Sequence, residues 1–259
     1  MLGALKNAVR PILAPYMRAR SPRSADERQR SVADLEDLFL ELCRELRPDL
    51  FIEAGAKDAA TSRKVRGCLP DARVVAFEAN PVTFERSRRR TDYGSHGVEY
   101  LHQTLSDAEG TVTFNVRVVN GKLAADGRGS ILARNRTNIE TRPFEVPSRR
   151  LDGVFPPGSF GSCAIWIDVE GASRQVLTGA EAILRQAGSV FIEVEEREVW
   201  KGQWLAREVS DYLGRHGLTA IGRDFQSRHQ HNVVFVRRSA LTDARIESLR
   251  SRLRRRARL

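Results

Sequence analysis

The spacing of apolar residues switches repeatedly between two periods along the chain, and the switching predicts alternating strands and helices. Over residues 33–46, Leu35, Leu38, Phe39, Leu42 and Leu46 share one helical face, and Arg47-Pro48 ends the pattern. A short apolar run at 49–55 breaks at Gly55 and reads as a buried strand. A helix over 59–69, a strand at 73–79, a helix opened by Pro81 and closing in the Arg-rich 86–90 stretch, and a strand at 98–103 continue the rhythm. Residues 111–119 alternate like an exposed strand, and 144–155 read as a strand running into a short helix. Between them, 120–143 is Gly-, Asn- and Arg-rich with weak periodicity and reads as one long loop, a length that is usually functional or disordered. A strand at 163–169, one amphipathic helix over 173–186, a strand at 189–196 and a helix over 204–216 follow. Two strands, 218–225 and 231–238, come next without a helix between them, which predicts an antiparallel hairpin. Residues 240–259 are left as a basic helix or tail.

Apolar strands alternating with helices predict an α/β fold: a doubly wound, Rossmann-like, mostly parallel seven-stranded sheet with an antiparallel terminal hairpin. Right-handed crossovers place ligands outside the carboxyl ends of such strands, so the chemistry is expected at 53–58, 78–80, 104–107, 168–171 and 193–196. The chain divides into a basic, amphipathic extension with a helix (1–47), the α/β domain (48–238) and a basic tail (239–259).

Charge changes this picture only when it is mapped. The formal net charge is +10 over 259 residues. Residues 1–23 contribute +5 and residues 237–259 contribute +7, leaving −2 for the body. A nucleic-acid enzyme usually sets a basic stripe beside its site, so nucleic acid is not expected as a partner. Basic ends suit either peripheral contact with an anionic membrane surface or plain solubility. No apolar run approaches the ~20 residues of a membrane span. Lys6, Arg10 and Pro11 interrupt the N-terminal apolar stretch, which makes it a poor secretory signal. Cys43, Cys68 and Cys163 form no paired spacing and point to a reducing compartment, hence a cytoplasmic protein, at the inner face of the membrane if the basic ends bind there.

Every expected strand end is polar. The first, Glu53-Ala54-Gly55-Ala56-Lys57-Asp58-Ala59, is a small-residue turn that lets backbone N–H groups approach a ligand. It lacks the three glycines of a dinucleotide fingerprint and the G-x-x-x-x-G-K-[ST] of a nucleotide triphosphatase. At the second, Glu78 stands where it can accept from two ribose hydroxyls or cap the helix after Asn80-Pro81. The third, Thr104-Leu105-Ser106-Asp107, offers an acid to an adenine amino group, or forms a turn. The fourth sets Asp168 and Glu170 one residue apart, facing the same way on an extended chain. Two such carboxylates repel, so one can serve as a base; the pair could equally hold a metal, position a cation, or cap a helix. The fifth, Glu193-Val194-Glu195-Glu196, brings more acids to the same edge.

Taken together, FIEAGAKDAATS, VVAFEANPVTF, LSDAEGTVTF, VPSRRLDGVF, IWIDVEGASRQVLTGA, FIEVE and HNVVFV resemble the FkbM-type methyltransferases, a branch of the class I fold. The resemblance covers roughly 48–238 and implies S-adenosylmethionine as cofactor. It implies Glu53, Gly55, Ala56 and Lys57 beside the donor's methionine portion, Glu78 and Asn80 at its ribose, Ser106 and Asp107 near adenine, and Asp168 and Glu170 facing sulfonium and acceptor. Asp168, Glu170 or His231 would take the acceptor's proton. A divalent metal is compatible with the carboxylates, but no ligand set is assigned. In the family's first motif, acid-x-Gly-Ala-Asn-x-Gly, Lys57 here replaces the Asn and Ala59 the last Gly; Ala79 replaces a usual Pro in the second.

The expected activity is O-methylation of a hydroxyl on a sugar, glycolipid or related small molecule, with Arg128, Arg134, Arg136 and Arg142 of the long loop available to an anionic acceptor. The competing reading is a methyltransferase-like binding or scaffolding module that has lost its donor, which the altered first motif favours. The oligomeric state is not legible.

Overall fold

The structure, a computed structural model, describes residues 24–135, 138–156 and 158–256. The basic extension expected over 1–23, Arg136 of the loop and the last three residues of the tail lie outside the described residues.

The chain opens with α1 (Ala25–Leu46), which starts eight residues before the apolar pattern does. Its first turns are polar throughout, so periodicity cannot find them. The start is set by a capping box: Glu27 N–H donates to Ser24 Oγ, and the Glu27 carboxylate accepts from Ser24 N–H. Then come β1 (Leu50–Ala54), α2 (Ala60–Cys68), β2 (Arg73–Glu78), α3 (Pro81–Arg88) and β3 (Glu99–His102). A second run follows: β4 (Thr104–Leu105), β5 (Gly110–Val119), β6 (Lys122–Leu123), β7 (Thr141–Arg149) and α4 (Leu151–Val154). The rest is β8 (Cys163–Ile167), α5 (Ser173–Thr178), α6 (Glu181–Gln186), β9 (Ala187–Glu195), α7 (Ala206–Arg215), β10 (Leu218–Arg223), β11 (Gln230–Arg237) and α8 (Asp243–Arg256).

Seven strands form one sheet in the order β10-β11-β9-β8-β1-β2-β3. The five strands from β9 to β3 are parallel, and β11 runs antiparallel to both β9 and β10. This is the expected doubly wound sheet with its terminal hairpin. Alternation along each strand sends residues to two separate cores. Leu50, Ile52, Ile165, Ile167, Val190 and Ile192 pack with α5, α6 and α7. Phe51, Val74, Ala164, Trp166 and Phe191 pack with Leu35, Phe39 and Leu42 of α1. Because both faces are covered, the strands read as continuous apolar runs. Each fully buried Leu or Phe adds roughly 1.5–3 kcal/mol.

Three features depart from the sequence reading or extend it. Residues 173–186 form two short helices, not one. The backbone leaves helical geometry at Ala180 (φ −126°, ψ 23°), directly after Gly179, whose backbone sits against that of Ser106: a Cβ on Gly179 would lie 2.0 Å from the Ser106 carbonyl oxygen. Asp152 then caps the second helix, accepting from Ala182 and Ile183 N–H. Next, 111–119 and 144–149 are strands, as read, and they are partners. β5 and β7 pair antiparallel over their length and, with β4 and β6, make a second, four-stranded sheet around Phe114, Val116 and Val146. The 120–143 stretch is correspondingly shorter as a loop, since β6 and the start of β7 fall inside it. Finally, of the two forms left open for 240–259, the described part takes the helix. α8 buries Ile246 and Leu249 with α1, and Arg245 pairs with Glu45 at 2.6 Å. No helix among the described residues is long and apolar enough to cross a membrane.

Candidate active site

The sheet order reverses at β1, which has β2 on one side and β8 on the other. At the carboxyl ends of these strands lies an open cleft of about 280 Å³. Its floor comes from the ends of β1, β2, β3, β8 and β9, its far wall from Gln226 and Gln230, and its roof from residues 126–131 of the long loop.

The turn after β1 is locked to its neighbours by backbone bonds. Gly55 and Ala56 N–H donate to the Phe77 carbonyl at 3.0 and 2.9 Å, and Asp168 N–H donates to the Ala54 carbonyl at 2.9 Å. Gly55 has φ +81°, which favours glycine. Lys57 (φ 52°) and Ala59 (φ 49°) adopt the left-handed conformation too. These are the positions of the Asn and Gly in the family motif, residue types that tolerate it best. The loop therefore holds a left-handed backbone at two residues that disfavour it.

Glu53 does not face the cleft. Its Oε2 accepts from Ser62 N–H at 2.9 Å and Ser62 Oγ at 2.5 Å, tying β1 to the first turn of α2. Burial pushes its carboxyl up to about 7, against the pull of the Ser62 bonds. Glu78 lines the cleft. Each of its oxygens accepts one backbone N–H, from Lys57 at 2.6 Å and from Asn80 at 2.7 Å. Burial raises it as well, to about 7. Asn80 caps α3 by accepting from Val82 and Thr83 N–H, and its Nδ2 donates to the Ala124 carbonyl at 3.2 Å, which pins the start of the roof.

At the third strand end the lining residues are Gln103, Thr104 and Leu105, while Ser106 and Asp107 lie outside it. Ser106 Oγ donates to Asp107 Oδ1 at 3.1 Å, and Arg150 donates to the Asp107 carbonyl at 2.9 Å, so this pair shapes the turn. Gln103 is the last residue of the strand read at 98–103, while the structure ends β3 at His102 and so leaves Gln103 at the strand end.

Asp168, Glu170 and Glu193 meet at the ends of β8 and β9. Solvent reaches Asp168 through the cleft, yet protein walls it on most sides, and desolvation lifts it to about 6 while Lys57 pulls it down. Glu170, with φ 38°, is raised to about 7 by burial and by Asp168, against the pull of Arg134 and Arg128. Glu193 is raised well above its usual value by burial, then by Asp168, Glu170 and Glu195. His231 is buried beside Val194 of β9 and does not line the cleft. Burial and Arg223 hold its ring down to about 3, so it stays neutral. Ala56 lies beneath the lining, in the core. Among the described residues, no group of three or more His, Cys, Asp or Glu is arranged to hold a metal ion.

The roof is fastened at several points. Ser130 Oγ donates to the Glu170 carbonyl at 2.7 Å, and Arg117 pairs with Asp126 at 3.0 Å. Farther along, Asn135 N–H donates to the Val199 carbonyl and Lys201 N–H to that of Ala133. Arg134 lies 4.3 Å over the Trp200 ring, worth roughly 0.5–2 kcal/mol. Of the loop arginines expected near an acceptor, Arg128 lines the cleft, Arg134 packs behind it, and Arg142 is exposed on β7 away from it.

Comparison with known proteins adds a family. The Methyltransferase FkbM domain matches residues 53–245. The 2-O-methyltransferase NoeI of Sinorhizobium fredii is 26% identical over 183 residues, covering 67% of this chain and 75% of that protein. The hexuronic acid methyltransferase AglP of Haloferax volcanii is 28% identical over 130 residues, and the match spans only 49% of either chain. The structure of magnesium protoporphyrin IX methyltransferase from Synechocystis PCC 6803 aligns at 10% identity with a TM-score of 0.45, covering 89% of this chain and 84% of that one.

Proposed function

This chain belongs to the FkbM methyltransferase family, and from that premise we propose that it transfers a methyl group from S-adenosylmethionine to a hydroxyl oxygen of a sugar. An oxygen acceptor is supported by the name of NoeI, and a sugar by that of AglP. The catalytic domain is assigned to residues 48–238. The Arg-rich flanks would bring it to an anionic membrane face.

The observation that carries the reading is the state of Glu78. A carboxylate whose two oxygens each accept one backbone N–H keeps a lone pair on each, and Glu78 lines the cleft at the switch point. That is a receptor for a vicinal diol. Thr104 Oγ1, also in the lining, is buried without a partner and supports an adenine-side contact with Gln103. On the other half, three acids stand against Lys57 and Arg128, a balance that suits a cationic ligand. The residues present fit the donor.

When bound, S-adenosylmethionine supplies an electrophilic methyl on a sulfonium. The chain's own work is then positional and electrostatic. Glu78 fixes the ribose, Gln103 and Thr104 the base, and Asp168 the cationic end. The roof and the β10–β11 hairpin enclose the acceptor, whose hydroxyl must be aligned with the methyl and relieved of its proton. That proton leaves to the acids at the ends of β8 and β9, of which Asp168 and Glu170 are the two the sequence singles out.

The reading is tested by incubating the protein with methyl-labelled S-adenosylmethionine and a panel of neutral and uronic acid glycosides. Label is expected in a base-stable sugar ether. Label in a base-labile ester, or in none of the glycosides, overturns it.

A further inference from the structure

We propose that Glu193 takes the acceptor's proton. The inference rests on the methyltransferase reading and names which acid of the cleft is its base.

Glu193 follows Ile192, which pairs with Ile167 of β8, so Glu193 and Asp168 emerge side by side at one edge of the sheet. They stand two residues beyond Phe191 and Trp166, which pair across the two strands and stack their rings 3.5 Å apart. Glu193 lines the cleft, and its Oε1 is buried with no hydrogen-bond partner. A buried acceptor oxygen left unpaired is destabilising, and a bound hydroxyl would relieve it.

The other acids are committed elsewhere. Glu53 is held by Ser62, and Glu78 by Lys57 and Asn80 N–H. Asp168 is drawn down by Lys57, and Glu170 by Arg134 and Arg128. A nearby cation makes a carboxylate a weaker base. The charged groups acting on Glu193 are Asp168 and Glu170 from the end of β8 and Glu195 from its own strand, all acids; from β11 the uncharged Gln230 side chain hydrogen-bonds to it and pulls it down, against the larger effect of burial. Of the three acids that line this edge, Glu193 is thus the one on which no cation acts among the leading influences, and its Oε1 is buried without a partner.

The step balances simply. The acceptor oxygen forms its bond to the methyl carbon as the methyl–sulfur bond breaks, with that bond's electron pair staying on sulfur. The hydroxyl proton passes to the Glu193 carboxylate and from there to water. A cation arriving in the cleft also favours the ionised acid, so the base is readied when the donor binds.

Glu193→Gln keeps the shape and removes the base. With a glycoside that the wild type methylates, kcat should fall about 10²–10⁴-fold, with acceptor KM nearly unchanged and the acidic limb of the kcat–pH profile lost. Glu193→Asp should recover part of the rate. Independently of turnover, calorimetry of S-adenosylmethionine binding in buffers of different ionisation enthalpy should show fewer protons released by Glu193→Gln than by wild type. A folded Glu193→Gln protein with near-normal kcat and an intact acidic limb overturns the assignment. If the wild type binds no donor, the methyltransferase reading fails first, and the calorimetry separates that outcome from a wrongly chosen base.

Discussion

Gly55 rests directly on the backbone of Asp168. A Cβ on Gly55 would fall 1.8 Å from the Asp168 carbonyl oxygen, so the turn after β1 and the end of β8 approach as closely as they do only because that atom is missing. The contact sets donor turn and acid cluster in one frame. Gly55→Ala should therefore separate them and also strain a residue at φ +81°. Unfolding in urea should show a loss of about 3 kcal/mol or more, with S-adenosylmethionine binding lost as well. A variant of wild-type stability would mean that the two segments part freely.

Lys57 and Ala59 make the opposite prediction. Each holds a left-handed conformation that costs a residue with a Cβ about 1–2 kcal/mol. Lys57→Asn should stabilise the protein by roughly 0.5–1 kcal/mol, because its N–H bond to Glu78 is a backbone bond and survives. Donor binding should persist. The thermal midpoint and a donor titration check both, and a destabilised variant would show that the Lys57 side chain, not the backbone shape, holds the loop.

The raised carboxyls give stability a defined pH dependence. Glu53 moves from its usual 4.5 to about 7 in the folded state. Between those values the folded protein keeps a proton that the unfolded chain has lost, so stability falls as pH rises through the window and then levels. Glu78, Glu170 and Glu195 act in the same direction. Urea midpoints should be higher near about pH 5 than about pH 8, and Glu53→Gln should remove about 1–3 kcal/mol of that difference. An unchanged slope in the variant would mean that Glu53 is not the group responsible. Donor affinity should run the other way, weakening as the cleft acids gain protons and lose their attraction for a cation.

Much of this arrangement is legible in the sequence because the sheet is buried on both faces. Runs such as CAIWI at 163–167 then announce themselves without any partner being known. The pairing of β5 with β7 is not announced, since the partners are separated by a loop whose path depends on Asn80, Ser130 and Trp200. The start of α1 was readable from Ser24 and Glu27, but only as a capping signature. The close approach of Gly179 to Ser106 joins residues far apart in the chain, and no local pattern encodes it. At the site, strand ends located Gly55, Lys57, Glu78, Asn80, Asp168 and Glu170 in the lining of the cleft. They could not tell that Glu53 turns inward to Ser62, that Asp107 serves a turn, or that His231 is sealed in the core.

The most direct test of the account is calorimetric titration of the protein with S-adenosylmethionine and S-adenosylhomocysteine, comparing wild type with Glu78→Ala. The account predicts micromolar binding of both by the wild type and a loss of about 30-fold or more in the variant, whose two freed backbone donors and missing acceptor each cost about 1–3 kcal/mol. A folded wild type that binds neither ligand would contradict it, and would make this chain a methyltransferase-like module that works without a donor.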